Sequence, residues 1–318
     1  MQWVPKDPRM ARRLTYTMRR HRSQFKVILR QNALTSLLVS GERGQFGIDM
    51  QRQMGPDAPF LLLGRDRADL ANPDACADLI AKARPAVVIN VAAVRDETLA
   101  AKDEDYAMLV NGTAPGKMAE ACAQIGAPLV HISTADVFDG SGDVPWTPKD
   151  TPGPLNALGR SKLVGEEAIR RAGGAHVILR TSWVVSAHGD NFLTLLLKRA
   201  AQETRIEVPS DQISAPTSAY DLARAAQISA IRVLEDKSLS GTYHYQSKPH
   251  VSLSKAAREI IAVAGLSCEV IDVETRGAIP KPLNTRLECI LTETQLGLRS
   301  PDWRRGISYI LNDLGQTV

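Results

Sequence analysis

A chain of 318 residues, 44% hydrophobic and 23% charged, can bury one large or two modest cores without help from disulfides or metals. Its composition is that of a globular protein, which sets aside a disordered or fibrous chain, and it holds no apolar run near the ~20 residues of a membrane-spanning helix. The net charge of +4 is unevenly spread: residues 1–34 carry nine of the 39 basic side chains and one of the 35 acids, which leaves the rest net acidic by four.

The chain therefore opens on a basic extension, residues 1–34, which lacks the apolar stretch of a secretory signal. Its composition admits an anionic surface, a targeting peptide or a solvated, poorly ordered arm. It is assigned no function here, and nucleic acid is not an expected partner. Past it, short apolar runs alternate with helical patterns, the order of a parallel sheet flanked by helices. Residues 35–40 read as a first strand, 48–54 as a helix, 59–63 as a second strand and 74–83 as a helix announced by Asn72 and Pro73. Residues 86–91 give a third strand, 105–125 one long helical stretch and 128–133 a fourth strand. A polar, Pro/Gly-rich loop spans 139–156, followed by a helix over 159–172 and a strand over 176–180. Beyond residue 183 the pattern loosens into helices over 191–203, 219–234 and 252–265, short strands near Ile206 and over 241–245, and a final helix from Trp303.

The turn after the first strand reads Gly41-Glu42-Arg43-Gly44-Gln45-Phe46-Gly47. Glycines at this spacing between strand and helix allow a tight turn, close approach of the backbone to a pyrophosphate, and close packing of the helix, whose N-terminus faces the anion. Gly41, Gly44, Gln45, Phe46 and Gly47 are thus candidate NAD(P)-binding residues. Arg65, just past the second strand, can pair with the 2′-phosphate of NADP, while Asp66 beside it keeps NAD open. Asp69 and Leu70 fall where a loop reaches an adenine, and Ala92 and Ala93 follow the third strand, where small residues admit a cofactor. The expected fold is α/β, a Rossmann-type doubly wound parallel sheet with a smaller, interleaved C-terminal substrate-binding lobe. The expected division is an NAD(P)-binding domain over 35–185 and a mainly substrate-binding lobe over 186–318, some of whose elements return to the sheet.

The segments GERGQFG (41–47), DLANP (69–73), ISTADVFDG (132–140), PLNALGRSKLVGE (154–166), LRTSWV (179–184), DQISAPTSA (211–219), PLNTRLE (282–288) and PDWRRGI (301–307) together resemble the dTDP-4-dehydrorhamnose reductase family of extended short-chain dehydrogenases. The resemblance runs from about residue 37 to 314 and implies reduction of a nucleotide-linked 4-keto-6-deoxy sugar by NADPH or NADH, in biosynthesis of dTDP-L-rhamnose or a related deoxysugar. In that family a hydroxyl residue, a tyrosine and a lysine act together, the tyrosine protonating the carbonyl oxygen as hydride reaches the carbon. Thr134 matches the hydroxyl, with Ser133 beside it, and Lys162 matches the lysine, which also holds the nicotinamide ribose. Leu158 stands where the tyrosine belongs. Upstream, Ala135 replaces an acid that contacts substrate and Asp136 a tyrosine.

An alkyl side chain cannot protonate an alkoxide, and general acid catalysis is typically worth ~10² to 10⁴ in rate. The expected activity is accordingly weak or altered. Asp136, as a protonated carboxyl in an apolar cleft, or a water held by Thr134 are candidate replacement donors, against the plainer reading of Asp136 as a solvated loop carboxylate. The alternative function is a non-catalytic NAD(P)- or sugar-nucleotide-binding or regulatory protein. On the substrate side the resemblance implies contacts from Thr134, Ala135, Trp183 and Arg286, the last pairing with a diphosphate. It also implies that a homodimer can form, with Asp49 at the helix position where some relatives hold magnesium between subunits. No catalytic metal is expected, since the histidines are scattered. Four separate cysteines, Cys76, Cys122, Cys268 and Cys289, read as reduced thiols of a cytoplasmic protein.

Overall fold

The computed structural model describes residues 37–54 and 60–315. The basic extension over 1–34 lies outside the described residues, as do Thr35 and Ser36 of the expected first strand and Pro59 of the second.

Six parallel strands make the central sheet: β1 (Leu37–Ser40), β2 (Phe60–Leu63), β3 (Val87–Asn90), β4 (Leu129–Thr134), β5 (His176–Thr181) and, returning from the C-terminal part, β10 (Gly241–His244). Their spatial order is β2-β1-β3-β4-β5-β10. Both faces are covered, which is why these strands read as continuous apolar runs instead of alternating ones. Val87, Ile89, Val130, Val177 and Leu179 pack toward α1 (Gln45–Met54) and α8 (Ala219–Glu235). Val88, Leu129 and Ile178 pack toward α2 (Pro73–Ala83), α5 (Ala114–Ile125) and α6 (Ala157–Arg171) on the other side.

The chain leaves β1 for β2 on one side and then crosses to β3 on the other, so a crevice opens beyond the ends of β1 and β3, the usual ligand position in open α/β sheets. Residues 41–46 and 91–96 form its walls.

A third apolar cluster joins β6 (Val184–Val185), α7 (Phe192–Ala200), β7 (Arg205–Pro209), α9 (Leu253–Val263), β12 (Glu269–Val273) and α10 (Trp303–Asp313) into a smaller lobe. Three two-residue strands, β8 (Ile213–Ser214), β9 (Thr217–Ser218) and β11 (Val251–Ser252), stitch this lobe together.

Two sequence expectations change. The stretch 105–125 is not one helix: α3 (Glu97–Lys102) and α4 (Glu104–Met108) precede a π turn over Leu109–Thr113, and only then comes α5. Asp96 and Asp103 each cap a short helix, and Asn111 in the π turn turns inward to bond the main chain of Val94, a tertiary demand that helical periodicity does not register. Strand β12, paired in parallel with β7, is also new; its exposed residues, Glu269 and Asp272, lie three apart and break the alternation that marks a half-buried strand. Among the described residues no helix is long and apolar enough to cross a membrane.

Candidate active site

Over the turn at 41–47 lies a cavity of about 700 Å³. Its walls hold nine of the sequence-named cofactor residues: Gly41, Gly44, Gln45, Phe46, Arg65, Asp69, Leu70, Ala92 and Ala93. The turn needs its glycines for stated reasons. Gly41 takes φ +88°, and a Cβ there would stand 2.9 Å from the Val91 side chain. A Cβ on Gly47 would lie 2.3 Å from the Gly41 carbonyl oxygen, so this glycine packs beneath the turn and is not part of the cavity wall.

Several wall residues were not legible beforehand. Arg43, inside the turn, faces the same cavity as Arg65 and lies 3.9 Å from Asp66. Arg95, Asp96, Leu99, Tyr106 and Val110 line the far side, brought there by α3, α4 and the π turn. Arg43 was within the quoted motif and its charge was the available signal; the others follow from backbone breaks with no sequence mark.

The corner that holds the candidate catalytic residues lies at the end of β4. Thr134 terminates the strand, and its Oγ1 accepts from the Asp136 N–H at 3.1 Å, closing a 3-10 turn over Ala135–Val137. Helix α6 begins against this turn, capped by Asn156 Oδ1 accepting from the Gly159 N–H at 2.9 Å. A Cβ on Gly159 would stand 2.2 Å from the Asp136 carbonyl oxygen, so turn and helix touch through backbone. Leu158 is 8% exposed and belongs to the apolar cluster with Ala157, Ala107 and Val110. It fills the corner with hydrocarbon.

Lys162 lies one turn further along α6 and is 5% exposed. Its Nζ donates to the Ile132 carbonyl at 2.5 Å and lies 3.3 Å from His131 Nε2. Burial brings the ammonium down to about 8, against the pull of Glu166. The same burial, with Lys162 beside it, holds His131 well below the usual imidazole range, so the ring is neutral. Lys162 is absent from the cavity wall, which Ile132 and Val184 complete at this end.

Beneath the corner sits a buried ion pair. Glu166 accepts from Arg180 at 2.9 and 2.6 Å, from Ser133 Oγ at 2.6 Å and from Arg170 at 3.3 Å. Burial alone would raise this carboxyl, but the guanidinium and hydroxyl donors outweigh it and hold it below the usual range.

Asp136 has the opposite balance. Burial and the nearby Glu97 carboxylate push its carboxyl up to about 6, while the Thr134 hydroxyl and Lys281 pull it down. Glu97 and Lys281 are themselves joined at 2.7 Å, linking α3 to the segment that carries Arg286.

The remaining sequence-named residues divide. Ala135 is buried under the turn, with no exposed surface. Trp183 is half-buried and held at φ +44°, a strained value for a bulky residue and of the kind that clusters at functional sites. Arg286 is not on the cavity wall; its Nε donates to Asn284 Oδ1 at 2.8 Å. Asp49 is buried near Ser186 and Arg52, its carboxyl raised chiefly by burial. Among the described residues no group of three or more His, Cys, Asp or Glu side chains is assembled to hold a metal. Cys76, Cys122 and Cys289 are buried and, like Cys268, free.

Comparison with known proteins adds a family. The family model described as "RmlD substrate binding domain" matches residues 35–316. A dTDP-4-dehydrorhamnose reductase of Sinorhizobium fredii is 36% identical over 276 residues, covering 84% of this chain and 93% of the relative. Among solved structures, a dTDP-4-dehydrorhamnose reductase from Clostridium acetobutylicum superposes with a TM-score of 0.81 at 28% identity, covering 88% of this chain and 99% of that one. The same enzyme from Bacillus anthracis, in complex with NADP, gives 0.81 at 26% identity and the same coverage.

Proposed function

Because the chain belongs to the dTDP-4-dehydrorhamnose reductase family, we propose that it reduces the keto group of a nucleotide-linked 4-keto-6-deoxy sugar with NAD(P)H, at a rate lowered by the loss of the tyrosine proton donor. The cavity above residues 41–47 is the observation that carries this reading. Its volume, backbone-lined floor and small residues Ala92 and Ala93 fit a dinucleotide. Gly41, Gly44, Gln45 and Phe46 would hold the pyrophosphate at the start of α1, where the first N–H groups have no partners within the helix. Arg43 and Arg65 favour the 2′-phosphate of NADP over the bare hydroxyl of NAD. A reduced nicotinamide bound there supplies the hydride equivalent.

This chain's own residues then have to orient the ketone and move a proton. The Thr134 hydroxyl stands at the strand end to orient the carbonyl, Trp183 offers a flat face to a sugar, and Arg286 a fork for a diphosphate. Lys162 is drawn onto the Ile132 carbonyl and not toward a ligand in this conformation. A cytoplasmic homodimer completes the proposal, to be read by fractionation and light scattering.

The second reading, a cofactor-binding protein without turnover, is favoured by the hydrocarbon of Leu158 at the reacting corner. Absorbance at the nicotinamide band, with NADPH and dTDP-4-dehydro-6-deoxy-L-mannose, separates the two. Oxidation of NADPH supports the reductase; tight NADPH binding without oxidation supports the second reading; no binding contradicts both.

A further inference from the structure

A nicotinamide bound in the cavity has to meet a sugar held by the smaller lobe, so the two parts of the chain must be set against one another. One side chain on the cavity wall reaches across. Gln45, the first residue of α1, is 5% exposed, and its Nε2 donates to the Asp190 carbonyl at 3.2 Å, 145 residues further along the chain. Resting on the reductase reading above, we propose that Gln45 is a positioning residue that couples the two ligands: bound cofactor fixes the Gln45 amide, the amide fixes the loop over 186–190, and the loop sets the lobe for the nucleotide sugar.

The loop is built as a link. It follows β6, whose Val184 is on the cavity wall and pairs with Thr217 of β9, and it ends at the start of α7. On its α1 side it meets two residues one helical turn apart, which therefore share a face: Gln45, and Asp49, whose Oδ2 accepts from Ser186 Oγ at 3.5 Å. The second bond is at the long limit of hydrogen bonding, which leaves Gln45 as the firmer tie.

On its lobe side the loop is fastened to α7. Asn191 caps that helix, and its Nδ2 donates back to the carbonyls of Ser186 and Gly189 at 2.9 and 3.2 Å. Thr194 Oγ1 donates to the Gly189 carbonyl at 3.0 Å and accepts from the Asn191 N–H at 3.1 Å. Within the loop, Ser186 Oγ accepts from the His188 N–H at 3.1 Å. The loop and the first turn of α7 thus form one piece, and whatever holds Asp190 also holds the start of the lobe. Trp183, at φ +44°, directly precedes β6 on the same stretch of chain.

The Gln45 amide is only half satisfied. Its Oε1 is buried and has no hydrogen-bond partner among the described residues, while its Nε2 has Asp190. A buried acceptor without a partner is costly, so a ligand that donates to it is favoured. The ribose hydroxyls and the carboxamide of a nicotinamide dinucleotide are donors of that kind. The amide is planar, so a donor held at Oε1 also fixes the direction of Nε2 toward Asp190. The cofactor then interacts better with the linked arrangement than with any other, which is the differential interaction that coupling requires. The effect is reciprocal: a nucleotide sugar that holds the lobe in place tightens the cofactor by the same factor.

The test measures binding by calorimetry, using the full chain with NADPH and dTDP-L-rhamnose, a pair that cannot react because both are already reduced. In the wild-type chain dTDP-L-rhamnose should bind at least ~5-fold more tightly when NADPH is saturating, and NADPH should gain the same factor from the sugar nucleotide. Gln45→Met keeps the length of the side chain without its polar end and should bring that factor to about 1, whatever it does to NADPH binding alone. A residue with a merely structural role would lower both affinities and leave the factor as it was. Thr194→Val loosens the loop from α7 without touching the cavity wall; it should lower the factor while NADPH affinity alone stays at the wild-type value. A wild-type factor near 1, or a factor that survives in both variants, overturns the proposal and leaves the reductase reading standing. If the wild-type chain binds NADPH but takes no dTDP-L-rhamnose with or without it, the reductase reading fails and the coupling with it.

Discussion

The cofactor cleft and the catalytic corner lie side by side on the same sheet, yet they are built from different materials. The cleft is made of backbone and small residues in contiguous sequence: Gly41 and Gly44 in one turn, with Gly47 packed beneath it, and Ala92 and Ala93 in another. Those residues also serve the fold, since a Cβ on Gly47 would strike the carbonyls of Gly41 and Glu42. The corner depends on side chains from β4, α3, α6 and the segment bearing Lys281. A proton donor there would add chemistry without being needed for packing, and Leu158 settles into the apolar cluster. A binding framework tied to folding persists; a reactive side chain can be replaced at little cost in stability. The two regions can thus part company, binding kept and hydride transfer weakened.

The largest expected effect lies under the corner. Arg180→Met leaves Glu166 buried without its main partner and should cost about 3–5 kcal/mol in a denaturant melt. The pH dependence carries a sign. With its carboxyl held low in the folded chain, Glu166 contributes stability that is present above its unfolded value of 4.5 and is lost as pH falls through the lower folded value. In Arg180→Met burial instead raises the carboxyl, so that contribution reverses and acidification stabilises; a melt series that keeps the wild-type slope would contradict the assignment.

Next in size are two alanine substitutions that separate the regions, each forcing backbone to move by about 1–3 kcal/mol. Gly47→Ala should weaken NADPH binding. Gly159→Ala displaces Asp136 and should lower kcat with NADPH binding preserved. Equal loss of both properties in both variants would dissolve the comparison.

Smaller effects follow. Lys162 is lowered from 10.5 to about 8 by burial, so it destabilises the folded chain below pH 8, and stability should rise with pH between those values. Lys162→Met should raise Tm by several degrees at pH 7 and flatten that rise. Smallest, Arg65→Ala combined with Arg43→Ala should cost about tenfold in NADPH affinity and leave NADH nearly untouched, as the loss of one charge-assisted pair implies.

What could be read in the sequence follows the same divide. The turn at 41–47, the Asn72-Pro73 helix start and the apolar strands are local signals, each decided by a few neighbouring residues. The cavity's far wall was not legible, because Asn111 bends the chain through a π turn to bond Val94 and Ser161, a tertiary contact with no periodic trace. Nor was the pairing of Glu97 with Lys281, residues far apart in sequence that meet only once the C-terminal segment has folded back over β4. Lys162 follows from the family resemblance, but its attachment to Ile132 does not, since burial and not sequence position draws the ammonium inward. Trp183 was named as a sugar contact without any hint of its positive φ.

The central claim, that an intact cofactor site faces a corner lacking its proton donor, is tested most directly by comparing Leu158→Tyr with the wild-type chain in NADPH binding and single-turnover NADPH oxidation. The account predicts equal binding and an oxidation rate raised by ~10² or more in the variant. Equal rates with equal binding would contradict it, because the tyrosine would then have nothing to supply.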